Sequence, residues 1–213
     1  MASSSLPLPL RNALAALAVA ALDDPAAARA LAWLADRASV PPPDAAARLA
    51  AVHLVDLGAL TLLAVHTPHA EAAAAHARCA LAAVAAYRAP AGSDPVRRAV
   101  HQAAALWNAR LFFEVHEVLE AVWKDAKGDV RQALQGLIQI GVAFYQLANG
   151  NLLGARTLMA EGRAHLTAVP PATLPALDAA ALLGTTGAWD TELSAGNAPT
   201  DAPPAFPLRP DAA

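Results

Sequence analysis

Alanine and leucine fill most of this sequence, and no stretch alternates β-branched with polar residues over the length of a strand. Both residues favour helices, whereas strands are enriched in β-branched and aromatic residues. Clusters of proline and glycine interrupt the pattern at residues 41–43, 89–95 and 170–171, and such clusters end helices. Tight turns between helices make successive helices antiparallel neighbours. The sequence therefore predicts an all-α protein, folded as an antiparallel helical bundle.

The breaks also predict how the chain is organised. Residues 1–88 form an Ala/Leu-rich helical segment, 89–95 a linker, 96–194 a helical domain, and 195–213 a disordered tail rich in proline. The turn LANGNLLGA within the domain is typical of tetratricopeptide-like helix hairpins, although no repeating array of them follows. Periodicity and helix-end signals predict helices over 7–22, 25–38, 44–66, 69–88, 96–108, 111–126, 130–148, 152–168 and 174–183.

Charge and hydropathy argue against two classes of partner. The net charge is only −3 and no block of lysine or arginine stands out, which argues against nucleic-acid binding. No run of about 18 apolar residues is free of charged side chains, so no membrane span is expected.

Residues 12–22 resemble the apolar core of a signal peptide, but Asp24 and Pro25 follow closely and are typical of a helix start. We therefore expect a cytoplasmic protein.

Cys79 is the single cysteine, so it cannot form an internal disulfide, which suits a reducing compartment. We expect it to be buried as a small apolar residue, as free cysteines usually are. The first segment also carries His53, His66, His69 and His76. No carboxylate or cysteine completes a ligand set with these histidines, so we expect them on the surface.

The most informative residues lie on the helix predicted over 111–126. At about 100° per residue, His116, Glu120 and Trp123 share one face of this helix. Phe112 and Phe113 fall on or beside the same face, whereas Glu114 and Glu117 fall towards the side that we expect to face solvent. Because the aromatic rings indicate the buried face, we expect His116 and Glu120 to be buried and to need polar partners.

The helix predicted over 130–148 offers such partners. Four glutamines, Gln135 and Gln139 among them, fall within a stripe about 60° wide on an otherwise apolar helix. Buried amides need hydrogen-bond partners. An arrangement in which Gln135 and Gln139 face His116 and Glu120 across the interface of the two helices would satisfy both sets.

The run WNARLFFEVHEVLEAVW, followed by RQALQGLIQIGVAFYQLANGNLLGA, resembles the bacterial and archaeal domain of unknown function 309 family. The His-x-x-x-Glu-x-x-Trp motif of that family matches His116, Glu120 and Trp123, and a Leu-Gln-Gly-Leu-Ile-Gln segment follows. The resemblance covers roughly residues 98–168. It implies an all-helical domain with no assigned activity, and it implies that the motif binds a metal.

The residues themselves also favour a metal site as one interpretation. His116 and Glu120, at positions i and i+4, project side by side and are candidate ligands of a divalent metal ion. Two ligands are too few for a tight site, so a third would come from His101, His165 or a second subunit of a homo-oligomer.

Two further interpretations stay open. In the first, a small ligand binds without metal between aromatic walls and a few convergent polar groups, and the candidate contacts are Phe113, Trp123, Gln135, Gln139 and Tyr145. In the second, the polar residues form a satisfied buried network in a structural or protein-interaction module without catalysis. The sequence does not decide whether the protein is an enzyme.

Overall fold

The computed structural model describes residues 6–37, 39–56, 58–59 and 61–209. Helices dominate these residues, which confirms the predicted all-α class, and none of the helices described is long and apolar enough to cross a membrane. The elements in chain order are α1 (Leu8–Ala21), α2 (Pro25–Asp36), α3 (Pro43–Ala51), β1 (Val55–Asp56), β2 (Thr61–Leu62), a 3-10 turn (Thr67–His69), α4 (Ala70–Ala86), α5 (Pro95–Asn108), α6 (Phe112–Trp123), α7 (Gly128–Ala148), α8 (Leu152–Thr167) and α9 (Ala179–Ser194).

Aspartate–proline pairs begin two of the helices. The Asp24 carboxylate accepts a hydrogen bond from Ala26 N at 2.9 Å, and Pro25 opens α2. Asp94 accepts a hydrogen bond from Val96 N at 2.9 Å at the start of α5. Proline fits the first helical position because the N–H that it lacks would have no partner within the helix. The predicted helix start at Asp24 is therefore confirmed.

The predicted helix over 44–66 is wrong beyond Ala51. α3 ends there, and the chain then forms β1 and β2, which pair antiparallel. The Oδ1 atom of Asp56 accepts hydrogen bonds from Gly58 N at 2.7 Å and Ala59 N at 3.0 Å. An aspartate that binds the backbone a few residues further on stabilises a turn in competition with a helix.

The core of the second half is built around Trp107 of α5, which is fully buried. Its ring contacts Phe112, Phe144 and Phe206 edge-on, at centroid distances of 5.4, 5.1 and 5.6 Å. Edge-to-face contacts between rings add to the free energy gained by burying them. Because the three phenylalanines come from α6, from α7 and from the chain after α9, one side chain joins distant parts of the sequence.

Part of the tail predicted to be disordered packs on this core. Phe206 is buried, and Trp107 Nε1 donates a hydrogen bond to Pro204 O at 2.7 Å. The proline-rich composition indicated disorder, but a buried indole N–H needs an acceptor, and the carbonyl group of a proline supplies it here. Residues 210–213 of the predicted tail lie outside the described residues.

Buried side chains from both halves of the chain belong to one hydrophobic core. α6 packs against α5 and α7, and it also packs against α1 from the N-terminal segment. α4 packs against α1 and α5. The helix that carries the His-x-x-x-Glu-x-x-Trp motif is therefore covered on more than one side.

α7 and α8 approach each other backbone to backbone. A Cβ atom at Gly136 would lie 2.7 Å from the carbonyl oxygen of Gly162, and a Cβ atom at Gly162 would lie 2.7 Å from the carbonyl oxygen of Gly136. Real Cβ atoms essentially never come this close to another atom. A larger residue at either position would therefore force the two close-packed helices apart.

Gly136→Ala is expected to lower the free energy of unfolding by about 1–3 kcal/mol, the usual cost of forcing extra volume into a packed interior. Gly184→Ala in α9 is the matched control, because a Cβ atom there would meet nothing within 4 Å. It should instead raise stability by about 0.5–1 kcal/mol, since alanine is the better helix former. Urea unfolding followed by circular dichroism measures both changes, and a Gly136→Ala protein as stable as its parent would contradict the close contact.

Candidate functional site

The packing of α6 decides which of its polar side chains face the interior. Glu114 is only 2% exposed, whereas His116 is 29% and Glu120 is 35% exposed. The predictions that Glu114 points to solvent and that His116 and Glu120 are buried are therefore wrong. The reason is that the N-terminal segment covers a side of α6 that the helical wheel assigned to solvent, since α1 packs against α6 and His76 of α4 contacts Glu114.

Three side chains form a cluster on the outer surface of α6. His116 Nδ1 lies 3.2 Å from Glu117 Oε1, and His116 Nε2 lies 3.9 Å from Glu120 Oε2. One ligand atom from each of the three residues lies within 4.8 Å of the others. Because the two contacts use opposite nitrogens of the His116 ring, a single ion would bind one of these nitrogens, and the carboxylate that contacts the other nitrogen would have to turn towards it.

Glu117 is the donor that the sequence analysis missed. The third ligand was expected from His101, His165 or a second subunit, but neither histidine belongs to the cluster. A usable signal was present, because Glu117 precedes Glu120 by three residues, a spacing that makes side chains neighbours on a helix. The helical wheel assigned Glu117 to the solvent side, and that is the side on which the cluster lies.

The glutamine stripe of α7 does not face the motif. Gln139 Nε2 donates a hydrogen bond to Glu161 Oε2 of α8 at 2.9 Å. A Cβ atom at Gly141 would lie 3.2 Å from Val115 Cγ1 of α6, so Gly141 lies on the side of α7 that faces α6. At about 100° per residue, Gln139 is about 160° and Gln135 about 120° away from that side. The predicted pairing of these glutamines with the motif is therefore wrong.

Trp123 lies at the turn from α6 to α7. The guanidinium group of Arg131 stacks over its indole ring, 3.7 Å from the ring centroid. Arg131 Nη1 also donates a hydrogen bond to Trp123 O at 2.9 Å. A cation over an indole ring and a hydrogen bond to a carbonyl group at a helix end are both stabilising. Trp123 thus fixes the two helices of the motif relative to each other, and its contact with a ligand stays a prediction.

Phe113 and Tyr145 lie together, with ring centroids 5.7 Å apart. The guanidinium group of Arg11 from α1 lies 4.2 Å from the Phe113 centroid and donates a hydrogen bond from Nη1 to Tyr145 Oη at 2.6 Å. A cavity of about 420 Å³ beside them is lined by Arg11, Phe113 and Glu117 together with α1 residues. The sequence offered no signal for Arg11, since the contact joins residues far apart in the chain.

A buried contact between a histidine and a glutamate links α6 to the N-terminal segment. Glu114 Oε1 lies 3.1 Å from His76 Nε2 of α4, which is 14% exposed. The expectation that His76 has no carboxylate partner is wrong, because that partner lies on another helix.

Cys79 is exposed rather than buried, since alanines form the buried side of α4. His66 is also buried, with Nε2 3.2 Å from His53 O.

Residues 100–158 match a protein family described as a domain of unknown function, DUF309. This match confirms the resemblance seen at His116, Glu120 and Trp123. It covers most of α5, all of α6 and α7, and the first part of α8. No curated protein and no solved structure matches the chain.

His76→Ala is expected to destabilise the fold by roughly 3–5 kcal/mol, because it leaves the Glu114 carboxylate buried without a partner. Glu114→Gln keeps the shape of the side chain and removes its charge, so it should cost about 1 kcal/mol or less. In the double variant the amide that replaces the carboxylate needs no cation. The double variant should therefore lose about 1–3 kcal/mol less unfolding free energy than the sum of the losses in the two single variants. Thermal and urea unfolding of the four proteins measure this difference, and strictly additive losses would contradict the pairing.

Proposed function

We propose that this chain, whose residues 100–158 match the DUF309 family, binds a divalent transition-metal ion at His116, Glu117 and Glu120. The observation that supports the proposal is the cluster itself, in which one imidazole nitrogen and two carboxylate oxygens lie within 4.8 Å of one another. The His-x-x-x-Glu spacing places two of the donors one helical turn apart, and Glu117 supplies the third.

The donor set fits zinc, manganese or iron better than calcium or magnesium. Imidazole nitrogen suits the transition metals, whereas Ca²⁺ and Mg²⁺ take oxygen ligands. Three protein ligands with an open position are typical of zinc sites that hold a water molecule, and an ion held in this way makes such a water a stronger acid. The side chains of His116, Glu117 and Glu120 are between 29% and 42% exposed, so water has access to the remaining positions.

A small ligand beside the ion is the second part of this proposal. The cavity of about 420 Å³ shares Glu117 with the cluster and is bordered by Arg11 and Phe113. A molecule bound to the ion through one end would extend into this cavity, where the aromatic ring and the guanidinium group are available to it. Of the ligand contacts predicted from the sequence, Phe113 lines this cavity, whereas Trp123, Gln135, Gln139 and Tyr145 do not.

The competing interpretation is a network of surface ion pairs. Lys124 Nζ lies 3.7 Å from Glu120 Oε2, so the cluster also satisfies the pattern of intrahelical pairs between residues i and i+4. Such exposed pairs contribute only about 0.3–0.5 kcal/mol each. Surface ion pairs need only charges of opposite sign, whereas a metal site needs three metal-binding atoms around one ion. A metal titration therefore separates the two interpretations.

Isothermal titration of tag-free protein with Zn²⁺ and Mn²⁺ should show one site per chain for at least one of these ions. His116→Ala and Glu120→Gln should each weaken the affinity at least about tenfold, or about 1.4 kcal/mol, because each removes one of three protein ligands. His69→Ala and Glu71→Gln are matched controls that remove the same groups outside the cluster. Binding of neither ion, or equal losses in the controls, would contradict the site.

Lys124→Gln should tighten metal binding, because the ammonium group competes with the ion for Glu120 Oε2. Two unit charges about 4 Å apart in water interact with about 1 kcal/mol, so the gain should be no more than about fivefold. Lys124 is 62% exposed, and its removal should barely change the melting temperature of the metal-free protein. Lys127→Gln removes the same charge outside this contact and should have a smaller effect. A weaker affinity after Lys124→Gln would show that the lysine is not a competitor.

A further inference from the structure

A second cavity, of about 350 Å³, lies on the inner side of α6 and is distinct from the metal cluster. It is bounded by α1, by α4, by the turn between α5 and α6, and by α7. Its volume falls in the range of small-molecule sites, which are apolar with a few convergent polar groups. The titratable side chains that line it are Arg11, His76, Cys79, Arg110, Glu114 and Tyr145.

Arg11 is held in one orientation with a donor to spare. Its guanidinium group stacks on Phe113 at 4.2 Å, its Nη1 donates to Tyr145 Oη at 2.6 Å, and its Nη2 contacts Asn12 Oδ1 at 3.4 Å. Its Nε is buried and has no hydrogen-bond partner. Among the residues that the structure describes, no carboxylate pairs with Arg11. A buried charged donor without an acceptor is unfavourable unless a ligand supplies one.

Arg110 brings a second cation to the same cavity. Its guanidinium group donates to Pro203 O at 2.5 Å, and no carboxylate of the described residues pairs with it. Its backbone φ is +65°, in the left-handed region that glycine adopts more easily. Glycine is therefore a substitution that removes the cation and keeps the turn.

Glu114 supplies an acceptor at the inner end of the cavity. Its side chain is 2% exposed, and Oε1, 3.1 Å from His76 Nε2, has no hydrogen bond of good geometry. A buried carboxylate oxygen of this kind is completed by a donor group such as a hydroxyl. Because Arg11 and Arg110 together outweigh the charge of Glu114, the cavity as a whole attracts anions.

We infer that this cavity binds a small hydroxycarboxylate with a compact aromatic or branched apolar body. The carboxylate lies against the guanidinium group of Arg11, because arginine matches the planar geometry of carboxylates. The apolar body packs on the rings of Phe113 and Tyr145. The hydroxyl group donates to Glu114 Oε1, which lies 3.1 Å from His76 Nε2 but accepts no hydrogen bond of good geometry. This inference is independent of the proposed metal site.

The probe is 4-hydroxybenzoate, compared with benzoate, which lacks the donor, and with 4-hydroxybenzamide, which lacks the charge. Isothermal titration of the full chain should rank 4-hydroxybenzoate as the tightest of the three. Arg11→Gln should weaken its binding at least about tenfold, since hydrogen bonds to charged groups are the strong ones. Arg156→Gln on α8 removes the same charge outside the cavity and should leave the affinity unchanged. Arg110→Gly should weaken binding while the melting temperature changes little.

Cys79 provides an independent readout, because it is the single cysteine, is exposed and lines the cavity. Saturating 4-hydroxybenzoate should slow the alkylation of Cys79 by iodoacetamide in the parent protein but not in Arg11→Gln. Mass spectrometry of the intact chain measures the rate of alkylation. His116→Ala should leave this protection intact, which separates a failure here from a failure of the metal proposal. Equal binding of the amide and the carboxylate, or equal binding of benzoate and 4-hydroxybenzoate, would overturn the inference. An unchanged affinity in Arg11→Gln would overturn it as well.

Discussion

Helix α6 is buried on two sides, and the positions of both candidate sites follow from that constraint. Val115 and Leu119 are fully buried, and so is nearly all of Glu114, which turns towards α4. A carboxylate in such a place costs several kcal/mol unless a partner lies against it. His76 supplies this partner, although it lies outside the residues that match the family. The N-terminal segment therefore contributes to the interior of the motif helix, while the remaining polar residues of that helix are left at the surface.

The all-α class and the helix starts could be predicted because their causes are local. The Asp24-Pro25 pair carries its own cap, and no distant residue is needed for it. The helical wheel of α6 rested on a further assumption, that a helix has one buried face marked by its aromatic rings. This assumption fails for Glu114, because the residue that contacts it, His76 of α4, is far away in sequence. The hairpin after α3 was missed for a different reason, since the turn at Asp56 is also local but competes with an otherwise helical composition.

The glutamines of α7 show what a helical wheel determines and what it leaves open. The wheel places Gln135 and Gln139 on one side of the helix, and the structure agrees with that angle. It does not say which neighbour faces that side. Gly136 lies against α8 and Gly141 against α6, and these two positions are about 140° apart around the helix. Because Gly136 is the position that packs against α8, Gly141 is the one that faces α6, and the glutamines point away from α6.

Phe113 and Arg11 line both the cavity beside the metal cluster and the inner cavity. The guanidinium group of Arg11 contributes positive potential beside Glu117, which opposes the binding of a cation at the cluster. An anion bound to Arg11 in the inner cavity would cancel part of that potential. It would therefore favour the metal ion, and by linkage the ion would favour the anion to the same extent. Such a coupling would need no movement of the backbone, because the charge of one side chain would act on both ligands.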